Sequence, residues 1–107
     1  MKLMLTALTV ALAWALASPA SAGNPARGLE ISQVCQSCHG EDGNLALEAD
    51  YPIIAGQHFN YLVRALEDYR SGDRDHAIMS SFARDLSDRD IRDLAAWYSR
   101  QEGPLKP

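Results

Sequence analysis

The sequence predicts an all-α domain of about three main helices, and three observations carry that prediction. Apolar residues recur at helical spacing in two segments, Phe59, Leu62, Val63, Leu66 and Tyr69, then Ile91, Leu94, Ala95 and Tyr98. Residues that start and stop helices stand where those stripes begin and end: Asn24-Pro25, Ser71-Gly72, Ser87 with Asp90, and Gly103-Pro104. No run alternates apolar and polar residues between hairpin turns, so strands are not expected.

The first helix starts at Asn24, a good N-cap, with Pro25 at the first helical position, where its missing N–H costs nothing. It leads through Leu29, Ile31 and Val34 into the only two cysteines, Cys35 and Cys38. From Gly40 to Gly56 neither period holds, and Gly, Asp, Glu and Pro52 mark an irregular loop. Seventeen residues without regular structure need something to pack on. A middle helix is expected from about Gln57 to Ser71, followed by a polar connector. The last helix starts at Ser87, whose partner three residues on, Asp90, makes a capping-box-like pair.

Size and charge narrow the function. The chain has 107 residues and a net charge of −4, which leaves room for one small domain and excludes a multidomain enzyme. Lys2 is followed by an uncharged run from Leu3 to Ala17 and by Ala20-Ser21-Ala22, the pattern of a signal peptide with a small-residue cleavage site. That run of 15 residues is shorter than the ~20 that span a bilayer. Residues 1–22 are therefore expected to be a cleaved leader. Residues 23–107 are expected to form one domain that works in the periplasm, where no membrane contact remains. The mature chain then has nine basic against fourteen acidic residues, net −5, and no basic stripe for phosphates, so nucleic acid is excluded as a partner. Only 34 of its 85 residues are apolar, a thin core for a domain that must fold alone.

The chemistry sits in Cys35-Gln36-Ser37-Cys38-His39, the C-x-x-C-H pattern of covalent haem attachment. Two thiols three residues apart on one helical turn can add to the two vinyl groups of one haem, and the adjacent His39 then meets the iron. A thiol-redox pair would want a βαβ setting that this chain lacks. Zinc held by Cys35 and Cys38 with His58 or His76 lacks a second ligand pair at suitable spacing. For the sixth iron position the mature chain offers one methionine, Met79, in the polar connector where core packing does not call for it. His76 and His58 are the alternatives. A flat apolar ring between three helices would also supply the buried surface that the apolar side chains do not.

With these residues in place the chain resembles the class I c-type cytochromes, more closely the small bacterial cytochrome c553 kind and the single-haem halves of related dihaem carriers. The resemblance rests on Gly28, then Cys35-x-x-Cys38-His39-Gly40 with Asp42-Gly43, and Pro52-x-x-Ala55-Gly56-Gln57 followed by Tyr61-Leu62. Gly72-Asp73-Arg74, Met79 and the segment from Leu86-Ser87-Asp88 to Trp97-Tyr98 complete it. It implies a cytochrome c fold around one haem c, thioethers at Cys35 and Cys38, and axial ligation by His39 and Met79. It also implies a first helix crossing the last at Gly28, with Leu94, Trp97 or Tyr98 opposite. The Pro52 carbonyl becomes a candidate acceptor for the second ring nitrogen of His39, and Tyr61 a candidate haem-pocket residue.

The expected function is that of a monomeric one-electron carrier, not an enzyme, exchanging electrons with respiratory proteins through basic docking patches on those partners. Two alternatives stand beside it. One is a haem subunit through which electrons enter a larger oxidoreductase; the other is a haem enzyme or gas sensor from which Met79 dissociates.

Overall fold

The computed structural model describes residues 2–7, 9, 22–48 and 50–107. The leader expected over residues 1–22 falls for the most part outside them. Among the described residues there are five helices and no strand: α1 (Pro25–Ile31), α2 (Gln33–His39), α3 (Phe59–Ser71), α4 (Ala77–Ala83) and α5 (Asp88–Ser99). None of them is long and apolar enough to cross a membrane.

Two of the five were not anticipated as separate elements. The first expected helix is broken at Ser32, whose hydroxyl donates to the Leu29 carbonyl at 2.7 Å and accepts from Gln36 Nε2 at 2.9 Å. Such back-bonding by a buried serine interrupts the helical ladder and lets α2 set off as a new segment. The connector before the last helix contains α4, seven residues in which Ile78 and Phe82 are exposed and only the small Ala83 is buried, so it leaves no core-facing stripe to read. α3 begins at Phe59, two residues later than its pattern suggested.

The caps follow elementary donor counting. Asn24 Oδ1 accepts from the backbone N–H groups of Ala26 and Arg27, and Ser87 with Asp90 forms a full capping box on α5. α3 ends at Gly72, in the left-handed region at φ 91°, with its N–H on the Asp68 carbonyl at 3.0 Å.

α5 is the organising helix. Of its buried residues, Leu94, Ala95 and Tyr98 meet Leu62 of α3, with Ile31, Ile54 and Phe59 packed around them. Four of the eight buried hydrophobic residues among those described are alanines, so the protein core is as thin as the composition implied. α1 crosses α5 at Gly28, where an added Cβ would stand 2.0 Å from the Asp93 carbonyl oxygen and 2.9 Å from Trp97 Cβ. The contact thus falls on Asp93 and Trp97.

Beside that crossing Arg27 reaches Asp93 at 2.8 Å and Asp90 at 2.7 Å, and the buried Asp93 also accepts the Asn24 N–H at 2.7 Å. Burial by itself would raise the Asp93 carboxyl. The bonds from Arg27 and Asn24 outweigh it and hold the group below the usual carboxylate range. Asp90 is likewise lowered, first by the Ser87 N–H. Depressed carboxyls add stability that is complete above their unfolded pKa of about 4 and is lost as pH falls through the lower folded value. Arg27→Gln is therefore expected to destabilise the fold at pH 7, and clearly less at pH 3, by denaturant unfolding at the two pH values.

α5 also supplies what the long loop packs on. Trp97 Nε1 donates to the Glu41 carbonyl at 2.7 Å, Tyr98 Oη to the Gly40 carbonyl at 3.4 Å, and the Gly56 N–H returns to the Tyr98 carbonyl at 2.9 Å. Within the loop Gly43, at φ 85°, turns its carbonyl to the N–H groups of Ile54 and Ala55. The segment after His39 is thereby held at both ends.

Candidate haem site

Between α2, the 50–54 strip of the loop, α3, α4 and α5 lies a cavity of about 450 Å³. Cys35, Cys38 and His39 bring one set of groups to it from α2, and His76 and Met79 bring another from α4. Pro52 and Tyr61 line it as well; His58 is not among the lining residues. Leu62, Leu66, Leu94 and Ala95 form much of the apolar interior.

His39 is buried, and its Nδ1 lies 2.9 Å from the Pro52 carbonyl oxygen. A carbonyl only accepts, so Nδ1 carries the proton and donates. Nε2 is then the nitrogen whose lone pair is available to the cavity. The loop places that carbonyl through the Gly43 turn, while the Leu45 N–H bonds the His39 carbonyl at 3.0 Å. The imidazole is oriented before any metal arrives.

Burial and the neighbouring Cys38 push the Cys35 thiol up to about 11. Reactive redox cysteines are arranged in the opposite sense, with depressed pKa values in electropositive surroundings. Among the described residues no three His, Cys, Asp or Glu side chains converge as a metal cage, so the zinc alternative finds no geometry. Tyr98, buried against the cavity, is pushed well above the ordinary tyrosine range by burial and remains a phenol that can donate.

A haem fits these residues. The pocket is the right order of size for a bound organic group, and its walls are chiefly aliphatic and aromatic. Thiols, an oriented imidazole and a thioether all open onto it. Val34, Tyr61, Ile78 and Phe82 line the cavity yet are 39–54% exposed, apolar surface that a flat apolar ring would cover.

At α4 the two candidate sixth ligands have different duties. His76 is the N-cap, its Nδ1 accepting from the Met79 N–H at 3.4 Å while its own N–H donates to Ser80 Oγ at 3.1 Å. Met79, half-buried, has no such duty for its sulfur. Residues that sequence reasoning did not assign also line the cavity, among them Asp50, Tyr69, Arg74 and Tyr98. The carbonyl clamps from Trp97 and Tyr98 were missed because they join positions 56 and 58 residues apart.

The family model for cytochrome c oxidase, cbb3-type, subunit III matches residues 23–97. Cytochrome c-554(548) of Halomonas halodenitrificans is 43% identical over 84 residues, 76% of this chain and 100% of the relative. A thiosulfate dehydrogenase electron acceptor from Thiomonas intermedia is 34% identical over 94 residues, 88% of this chain and 38% of the relative. In structure the chain is similar to reduced recombinant cytochrome c4 from Pseudomonas stutzeri, with a TM-score of 0.71 and 35% identity, covering 77% of this chain and 47% of that one. It thus spans all of the first relative and less than half of the other two. On the motif, the cavity and these matches together, the chain belongs to the cytochrome c family and takes its fold and its covalently attached haem c.

Proposed function

We propose that this cytochrome c is a periplasmic carrier with a single His/Met-ligated haem, freed of its leader after Ala22 and working as a monomer between respiratory redox proteins. One observation carries the reading: Cys35, Cys38 and the oriented His39 open onto the same cavity as Met79. A haem bound there would supply one-electron redox chemistry. The rest is the work of the chain. Cys35 and Cys38 would hold the ring, His39 Nε2 and Met79 Sδ would serve as the iron ligands, and the bond from His39 Nδ1 to the Pro52 carbonyl would keep the imidazole oriented in both redox states. An iron held by both ligands would have no open position for substrate, which favours a carrier over a catalyst.

Charge suggests how partners arrive. Residues 28–63 contain no Lys or Arg but five carboxylates, Glu30, Glu41, Asp42, Glu48 and Asp50. Exposed Leu45 and Leu47 lie in the same loop that follows the haem-binding motif. A partner with a basic patch would be steered to the acidic loop and held there by apolar contact. The name of the Thiomonas intermedia relative makes a thiosulfate-oxidising dehydrogenase a reasonable donor class.

The test is stopped-flow electron transfer to a lysine-rich redox protein and to an acidic one over a range of ionic strength. The rate with the basic partner should fall by about tenfold or more as salt screens the encounter, and the acidic partner should stay slow. Rates independent of salt for both would contradict the docking reading.

A further inference from the structure

We propose that Arg70 is the clasp of the arm that carries Met79, a positioning residue that keeps the sulfur at the iron and other ligands off it. Residues 71–87 leave the end of α3, pass through α4 and return to the start of α5, with Met79 at their middle. α4 packs chiefly on α3. Of residues 71–87 only the small Ala83 is buried, with Leu86 half-buried at the edge of the core. Apolar burial therefore does little to hold this arm, and its position depends on the bonds at its two ends.

Both ends hang on the last turn of α3. At the outgoing end the Asp68 carbonyl accepts the Gly72 N–H at 3.0 Å and the Arg74 N–H at 3.1 Å. At the returning end Arg70 Nη1 donates to the Leu86 carbonyl at 3.1 Å, and Nη2 meets Asp88 Oδ1 at 2.7 Å. The two bonds differ in weight. Asp88 is 68% exposed, so water and salt screen its ion pair, whereas the bond to the carbonyl is partly buried and charge-assisted. It also falls on Leu86, the last residue of the arm to line the cavity. α5 is fixed in the core whether or not Arg70 is present. What the clasp decides is how closely the arm is drawn onto α3, and with it where Met79 stands. This role rests on the reading of Met79 as the sixth ligand. Its consequence for a carrier is selectivity, because an arm that stays shut leaves a small external ligand no iron position to take.

The test is displacement by imidazole of the haem-loaded ferric protein, as wild type and as Arg70→Gln, Arg70→Lys, Asp88→Asn, Arg64→Gln and Met79→Ala. At saturating imidazole the rate, read from the visible spectrum, is that at which the native ligand leaves. Arg70→Gln should keep the resting far-red band and raise this rate about tenfold. Arg70→Lys, a point donor in place of a fork, should fall between. Asp88→Asn, and Arg64→Gln on the exposed side of α3, should stay within about twofold of wild type. Hydrogen exchange gives a local readout that a general loss of stability would not. In Arg70→Gln the Ser80 and Arg84 N–H groups of α4 should exchange faster, while the Gly56 N–H on the Tyr98 carbonyl keeps its protection. Arg70→Gln with wild-type rate and exchange overturns the proposal, as does an equal rise in Asp88→Asn or Arg64→Gln. Imidazole binding equally fast to wild type and to Met79→Ala would instead overturn Met79 ligation, and this role with it.

Discussion

Ferric Met79→Ala should lose the far-red absorption band of thioether ligation, and its potential should fall by about a hundredfold in the ferric-to-ferrous ratio, near 120 mV. The reason is the softness of the ligand: a thioether stabilises ferrous iron, and water or a second imidazole in its place does not. The same variant leaves the proximal side alone, since His39 and its 2.9 Å bond to Pro52 belong to α2 and the loop. His76→Asn is the matched control, because asparagine can also cap α4 and so spares the helix that carries Met79. It should keep the band. A wild-type ferric spectrum without the band, altered by His76→Asn and unaltered by Met79→Ala, would assign the sixth position to His76.

The second large effect is on folding. Gly28→Ala should cost about 3 kcal/mol, a large share of the 5–15 kcal/mol that a small domain has. The added Cβ meets the Asp93 carbonyl at 2.0 Å, and backbone in the middle of α5 cannot swing aside as a side-chain tip could. Relief requires α1 and α5 to part, which also loosens Asp93 from Arg27 and Asn24. Gly72→Ala makes the useful comparison: φ is 91° there, yet nothing lies within 4 Å of the new Cβ. Only backbone strain is incurred, about 1 kcal/mol. Denaturant unfolding of the two haem-loaded variants reads the difference directly, and equal losses would mean that the α1–α5 crossing is not closely packed.

Much of the fold was legible because short-range chemistry encodes it. Ser87 and Asp90 are three residues apart, and their reciprocal bonds can be read without knowing where α5 goes. The same holds for Asn24-Pro25 and for the five residues from Cys35 to His39. Legibility ended where an element lacked its own signal. α4 turns its large apolar residues to the cavity and to solvent instead of a protein core, so its pattern is that of a polar connector. Ser32 breaks the first helix by a side-chain bond that serine makes in some contexts and not in others. The loop's anchors, Trp97 to Glu41 and Tyr98 to Gly40, depend on the register of α5 against a segment far away in the chain.

The central claim is that Cys35 and Cys38 hold one haem whose iron lies between His39 and Met79. The most direct test is an intact mass of the protein exported with haem-maturation machinery, taken with its oxidised and reduced spectra. The expected result is a chain starting at Gly23 plus one covalently bound haem that organic extraction does not remove, with the far-red ferric band present. A mass equal to the bare polypeptide, with both thiols free or joined to each other, would contradict it.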